Sequence, residues 1–176
     1  AFFVLQSLLV RTRNVRWHRQ VGWFGLALGI SVLVVGLRTT IVMARFNLSR
    51  PHSPNAELFL LVPLFDMLCF GTAFALAILW RKRPDYHRRL ILIATCALTA
   101  AGFGRFPAYL LPRGAFYVGV DLLIVLGVLH DWFVEGRIHR VYRYALPLLA
   151  AGQALVIFTI IRELSYWKFI AQKLVE

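Results

Sequence analysis

Charge is scarce in this sequence: 16% of its 176 residues are Asp, Glu, Lys or Arg, where a soluble domain carries about a quarter. Acidic residues are fewer still, 8 against 20 Lys and Arg. Such a composition excludes an ordinary soluble fold. Cysteine occurs twice, at Cys69 and Cys96, each inside an apolar stretch. That excludes a disulfide framework and a CxxC metal site, and leaves two thiols as small packing groups. No GxSxG, Walker-type phosphate loop, HExxH or GxGxxG run is present, and Ser, Thr and Asn are thin in the apolar stretches. The usual hydrolase, nucleotide-binding and zinc-protease chemistries therefore lack their residues. A general base at Asp66 or Asp121 would stand without a nucleophile or oxyanion donors beside it.

What the sequence does have is apolar length. Hydrophobic residues make up 60% of the chain, grouped in runs near the roughly 20 residues that cross a bilayer core about 30 Å thick. The runs are 21–44, 58–80, 90–111, 115–134 and 144–161, the first marked by Gly22, Gly25, Gly29 and Gly36, small residues suited to close helix packing. Residues 1–10 are apolar but reach only about 15 Å as a helix, half a membrane. They read as the inner half of a first helix whose start is missing. The expected fold is an all-α polytopic transmembrane bundle of about six helices arranged as three hairpins, occupying residues 1–162. Residues 163–176 place Leu164, Trp167, Ile170, Ala171 and Leu174 on one face and Lys168, Gln172 and Lys173 away from it, the pattern of an amphipathic interfacial helix.

The net charge of +12 is a topology signal rather than a nucleic-acid footprint, because the basic residues sit between apolar runs. Arg11, Arg13, Arg16, Arg19, Arg81, Lys82, Arg83, Arg88, Arg89, Arg137, Arg140 and Arg143 share one side. Arg38, Arg45, Arg50, Arg105, Arg113, Arg162, Lys168 and Lys173 fall on the other. The richer side is expected in the cytoplasm. Partners are then the bilayer, other membrane subunits or a second copy of the chain, met through helix surfaces, the outer loop from Arg45 to Asn55, or the terminal helix.

Three connectors end alike, at Trp17-His18-Arg19, Tyr86-His87-Arg88 and Ile138-His139-Arg140, and each opens an apolar run that later carries an arginine: Arg38, Arg105 and Arg162. This suggests an internal repeat. Histidine beside arginine and an aromatic is an ordinary headgroup-level anchor. With His130, however, the set His18, His87, His130 and His139 stands at similar depth and contains the residue type that ligates a metal or a b-type haem.

Ionisable residues within the runs carry the second site. Arg38 and Arg105 lie about 28 and 24 Å along their helices from Arg19 and Arg89, and Asp66 about 14 Å below Glu57. Arg38, Arg105, Arg162, Asp66 and Asp121 are thus expected in the outer half of the bundle. There they either clip the hairpins together as ion pairs or form a ligand pocket in which surplus arginine charge meets a carboxylate, phosphate, haem propionate or quinone oxygen. Pro63, Pro107 and Pro112 would loosen backbone at that level. The functions that follow are an accessory subunit or small-ligand-binding module, an electron-transfer protein with b-type haem or quinone, or a small transporter.

Trp17-His18-Arg19-Gln20-Val21-Gly22 with Gln6 before it, His87-Arg88-Arg89-Leu90 followed by Ala94-Thr95, and Gly136-Arg137-Ile138-His139 followed by Tyr142 resemble a group of uncharacterised bacterial multi-pass inner-membrane proteins. In these a Gln-containing opening helix leads to a His-Arg-x-x-Gly helix start. The resemblance spans nearly the whole chain. It implies a multi-pass protein of the bacterial cytoplasmic membrane and carries no activity with it.

Overall fold

A computed structural model of the chain describes residues 2–49, 60–112 and 114–175. The connector read from Arg45 to Asn55 falls outside the described residues from position 50 onward, as do Arg113 and the residues around Leu58. Among the described residues all regular structure is helical: seven helices of ten residues or more and one single turn.

Helix α1 (Phe2–Arg11) ends where Arg13 adopts the left-handed region at φ 59°. Helix α2 (Val15–Leu48) follows and runs on for 34 residues, about 51 Å. Its buried residues are Gly29, Thr40 and Ala44, while Trp23, Phe24, Val34 and Val35 are exposed, an apolar surface of the kind lipid covers. At Gly29 the helix is met by the Phe74 ring and at Gly36 by the Met67 thioether, each in space a Cβ would fill. Two of the four glycines that mark this run therefore admit a side chain from the next helix, and Gly25 admits the Phe2 ring of α1.

Helix α3 (Leu61–Leu79) carries Pro63 in its first turn, where the missing N–H costs nothing. Helix α4 (Pro84–Ala97) begins with proline at its first position and makes the most extensive contact in the fold with α3. Here the structure departs from the expectation of a span over 90–111. Thr99 takes both its backbone N–H and its hydroxyl to the Cys96 carbonyl, at 2.9 and 2.6 Å, which ends the helical ladder. A single turn, α5 (Ala100–Phe103), follows, and the chain then runs in turns through Gly104, Pro107 and Pro112. Glycine disfavours helix, and each proline removes a donor and bars the preceding residue from the helical region. At 14 residues, α4 spans about 21 Å.

Helix α6 (Phe116–Glu135) stops at Gly136, whose φ of 67° is the left-handed C-cap that glycine tolerates best. Helix α7 (Arg140–Ile161) opens on His139 as N-cap, its Nδ1 accepting the Val141 N–H at 3.2 Å. Helix α8 (Ser165–Val175) turns back to pack Ala171 and Trp167 against Ala44 of α2 and Leu60. The main core lies where α3, α4, α6 and α7 meet, around the fully buried Ala77, Ile124 and Tyr142. Four helices, α2, α3, α6 and α7, are long and apolar enough to cross a membrane.

Candidate functional site

Two polar centres lie inside this apolar bundle. The first joins α4 to α6. Arg89, 2% exposed, donates through Nε to Asp131, through Nη2 to Glu135 at 2.7 Å and through Nη1 to the Asp85 carbonyl at 2.7 Å. Arg88 closes on the other oxygen of Glu135. Burial works against the Arg89 charge, but hydrogen bonds to Asp131 and Glu135 more than offset it and hold the guanidinium above its ordinary value. Two cations here face the carboxylates of Asp131 and Glu135, with the exposed Asp85 carboxylate 3.9 Å from Arg89 Nη1, so both arginine charges are compensated and the centre serves as a joint. In the sequence Arg88 and Arg89 read as topology residues. The signal for this role was Asp131 and Glu135, four apart and on one helical face.

The histidines cluster around this joint. His18 and His87 stand in the first turns of α2 and α4, with ring centroids 6.5 Å apart and edge to face. His87 Nδ1 lies 2.8 Å from the Ala77 carbonyl; a carbonyl only accepts, so Nδ1 carries the proton and Nε2 is left with its lone pair. His18 Nδ1 is buried without a partner, as are both amide atoms of Gln6, which lies against it. His139 packs its ring edge on Tyr86 at 4.9 Å. His130 is 68% exposed, beside Asp131. The structure thus pairs His18 with His87 and leaves His130 and His139 apart from them. Among the described residues no three His, Cys, Asp or Glu side chains are grouped to hold a metal ion.

The second centre lies among α3, α6 and α7. Asp66 on α3 is 8% exposed and forms no ion pair among the described residues. Tyr117 on α6 lies beside it, 6% exposed, its hydroxyl buried and short of hydrogen-bond geometry with any neighbour. Gln153 on α7, 6% exposed, donates through Nε2 to Asp121 at 2.9 Å. Asp66, Tyr117 and Gln153 wall a cavity of about 10 Å³ together with Cys69 and apolar side chains, space for about one water. Tyr117 was missed in the sequence, although it stands four residues before Asp121 and so on the same helical face.

The three arginines expected with these carboxylates are elsewhere. Arg38 is exposed on α2. Arg105, also exposed, turns back to the Ala101 carbonyl at 2.5 Å, and Arg162 lies over the Phe158 ring at 5.7 Å. None forms an ion pair with Asp66 or Asp121 among the described residues. Arg105 and Arg162 follow helix ends, where long guanidinium side chains reach outward more cheaply than they desolvate, and Arg38 lies within α2 on its exposed face.

An apolar groove of about 410 Å³ adjoins this centre between α3, α7 and α8, lined by residues including Leu61, Phe65, Leu68, Leu155, Val156 and Ile170. Phe65 belongs to the walls of both spaces. Its ring packs edge-on against Tyr117 at 6.1 Å and fills the space a Cβ would take at Gly152.

The fold and its buried polar centres define an all-helical protein of membrane type. No protein-family model, curated protein or solved structure matches the chain.

Proposed function

We propose that this chain is a ligand-binding membrane protein whose site is the Asp66, Tyr117 and Gln153 centre, with Asp121 orienting Gln153. One observation carries the reading: Asp66 and the Tyr117 hydroxyl are both more than nine-tenths buried, they face each other across one small cavity, and Asp66 has no ion pair among the described residues. A carboxylate inside a spanning helix is costly and is ordinarily paired or placed at a functional site. The experiment is mass spectrometry of small molecules released by denaturing the purified full chain. The expected result is a species in near-stoichiometric amount that is lost from Asp66→Asn. An identical extract from the folded variant would overturn the reading.

Several finer features belong to this proposal. The contacts of α1 with α2, of α3 with α4 and of α6 with α7 support three successive hairpins. The placing of His18, His87 and His139 at helix starts supports an internal repeat. The twelve basic residues at the His18 and His87 end support a cytoplasmic side for that end, and a bacterial cytoplasmic membrane is the location this reading takes. The exposed apolar faces of α2 and α6 suit an accessory subunit of a larger assembly, which would co-purify in fixed ratio after mild solubilisation.

A second reading, electron transfer through b-type haem, has the His18 and His87 pair in its favour, since His87 keeps Nε2 free and its other nitrogen held, the arrangement a ligating histidine needs. A visible spectrum tests it: a Soret band that His87→Ala bleaches would establish it, and a colourless protein would remove it.

A further inference from the structure

Resting on the ligand site just proposed, the geometry points to a lipophilic amine as its ligand: an ammonium head at Asp66 and Tyr117, with an apolar body in the groove between α3, α7 and α8.

Asp66 and Asp121 are the carboxylates of this centre, and the arginines that the sequence offers to match them, Arg38, Arg105 and Arg162, are all exposed and face other groups or none. An anionic head, phosphate or carboxylate, would meet like charge in a low-dielectric interior, where that repulsion is strongest. A positive head would meet an unpaired acceptor.

Hydrogen-bond capacity points the same way. An ionised carboxylate accepts only, the Gln153 Nε2 gives one of its two N–H bonds to Asp121 while its Oε1 adds an acceptor, and the Tyr117 oxygen can accept as well as donate. Acceptors outnumber free donors, so the complement is a group bearing N–H bonds. The rings of Phe65 and Tyr117 flank the site, and aromatic faces attract ammonium groups.

The body of the ligand is set by the groove. Its volume of about 410 Å³ falls within the range of small-molecule sites, and its lining is apolar apart from Thr159 and the Tyr166 and Trp167 rings. It meets the buried centre at Phe65, so a head passing from groove to Asp66 displaces that one ring, a rotamer change of the sort that ligands commonly cause. An amine entering from the bilayer therefore finds an apolar channel first and a carboxylate at its end.

The test uses the full chain in lipid nanodiscs with tritiated dodecylamine as probe, whose primary ammonium carries three N–H bonds, scored as saturable binding above that of empty discs. Asp66→Asn is expected to weaken binding at least tenfold, Asp66→Glu to retain part of it, and Leu155→Trp, which narrows the groove from its lipid side, to weaken it with the fold intact. Helical circular dichroism and gel filtration check each variant. Saturable binding unchanged in Asp66→Asn overturns the inference. Decyl-benzoquinone bound in an Asp66- and Tyr117-dependent way, with no saturable amine binding, overturns the amine and leaves the ligand site standing. If neither probe binds saturably and no molecule co-purifies, both readings fall.

Discussion

Arg89 and Glu135 lie 46 positions apart in the chain and meet at 2.7 Å, tying the start of α4 to the end of α6. Arg89 is 2% exposed, so its charge depends on Glu135, Asp131 and Asp85 for compensation. Removing one partner of a buried ion pair leaves the other uncompensated, at a cost of about 3–5 kcal/mol. Asp131→Ala is therefore expected to destabilise the bundle by that amount in a denaturant titration of the purified protein. Arg89→Met combined with Asp131→Leu is expected to recover most of the loss. A double variant no better than the single one would show that the charges themselves hold α4 to α6.

The Tyr117 hydroxyl gives the opposite sign. It is buried without a partner, and an unmet polar group in the interior costs more than it contributes. Tyr117→Phe should leave stability unchanged or raise it by up to about 1 kcal/mol. Gln153→Leu, which takes the donor away from Asp121, should cost about 1–3 kcal/mol. The two variants compared in one unfolding assay separate the buried hydroxyl without a bond from the amide that holds Asp121.

At the α2 and α3 contact, Gly29 leaves room for the Phe74 ring. Gly29→Leu forces that ring aside, and overpacking of this kind costs about 1–3 kcal/mol. The loss should appear as easier proteolysis of the chain near α2 and a lower unfolding midpoint, while Gly22→Leu, at a position with open space around it, should show neither.

The His139 imidazole is held below the ordinary histidine value of 6.5, by burial first and by the Arg89 guanidinium second, against the opposing pull of Asp85, Asp131 and Glu135. In the window below that value the unfolded chain binds more protons than the folded one, so stability falls as pH drops through it and is fully present above it. The unfolding midpoint should decline between about pH 7.5 and about pH 5.5. His139→Asn, which keeps a side-chain acceptor at the cap, should remove the part of that decline due to His139. An equal slope in both proteins would refute the assignment.

Much of this architecture was legible from apolar runs. Helices α3 and α6 begin and end within three residues of the runs that announced them, because a membrane-length apolar stretch with no proline beyond its first turn and no glycine cluster has one low-energy form. The failure at α4 has a local cause. Apolar composition continues past Ala97, but Thr99, Gly102, Gly104 and Pro107 turn the backbone away, and hydropathy is blind to backbone geometry. The polar centres were half legible for a different reason. Asp66 and Asp121 stand out as carboxylates in apolar surroundings, whereas depth along a helix says nothing of the direction a side chain faces. Arg38 and Arg105 were expected at the height of the carboxylates, and both side chains are exposed away from them. Arg89 looked like one more topology charge until Asp131 and Glu135 were found opposite it.

The shortness of α4 bears on what surrounds it. Its neighbours α6 and α7, at 20 and 22 residues, reach about 30–33 Å, while α4 reaches about 21 Å. From Arg89 to Ala97 none of its side chains is exposed, so over that stretch α4 meets protein and not lipid. Exposure returns in the turns from Gly104 to Leu110, and bare turns are not stable in hydrocarbon. The far end of α4 is therefore a place for water or a neighbouring subunit rather than for lipid chains.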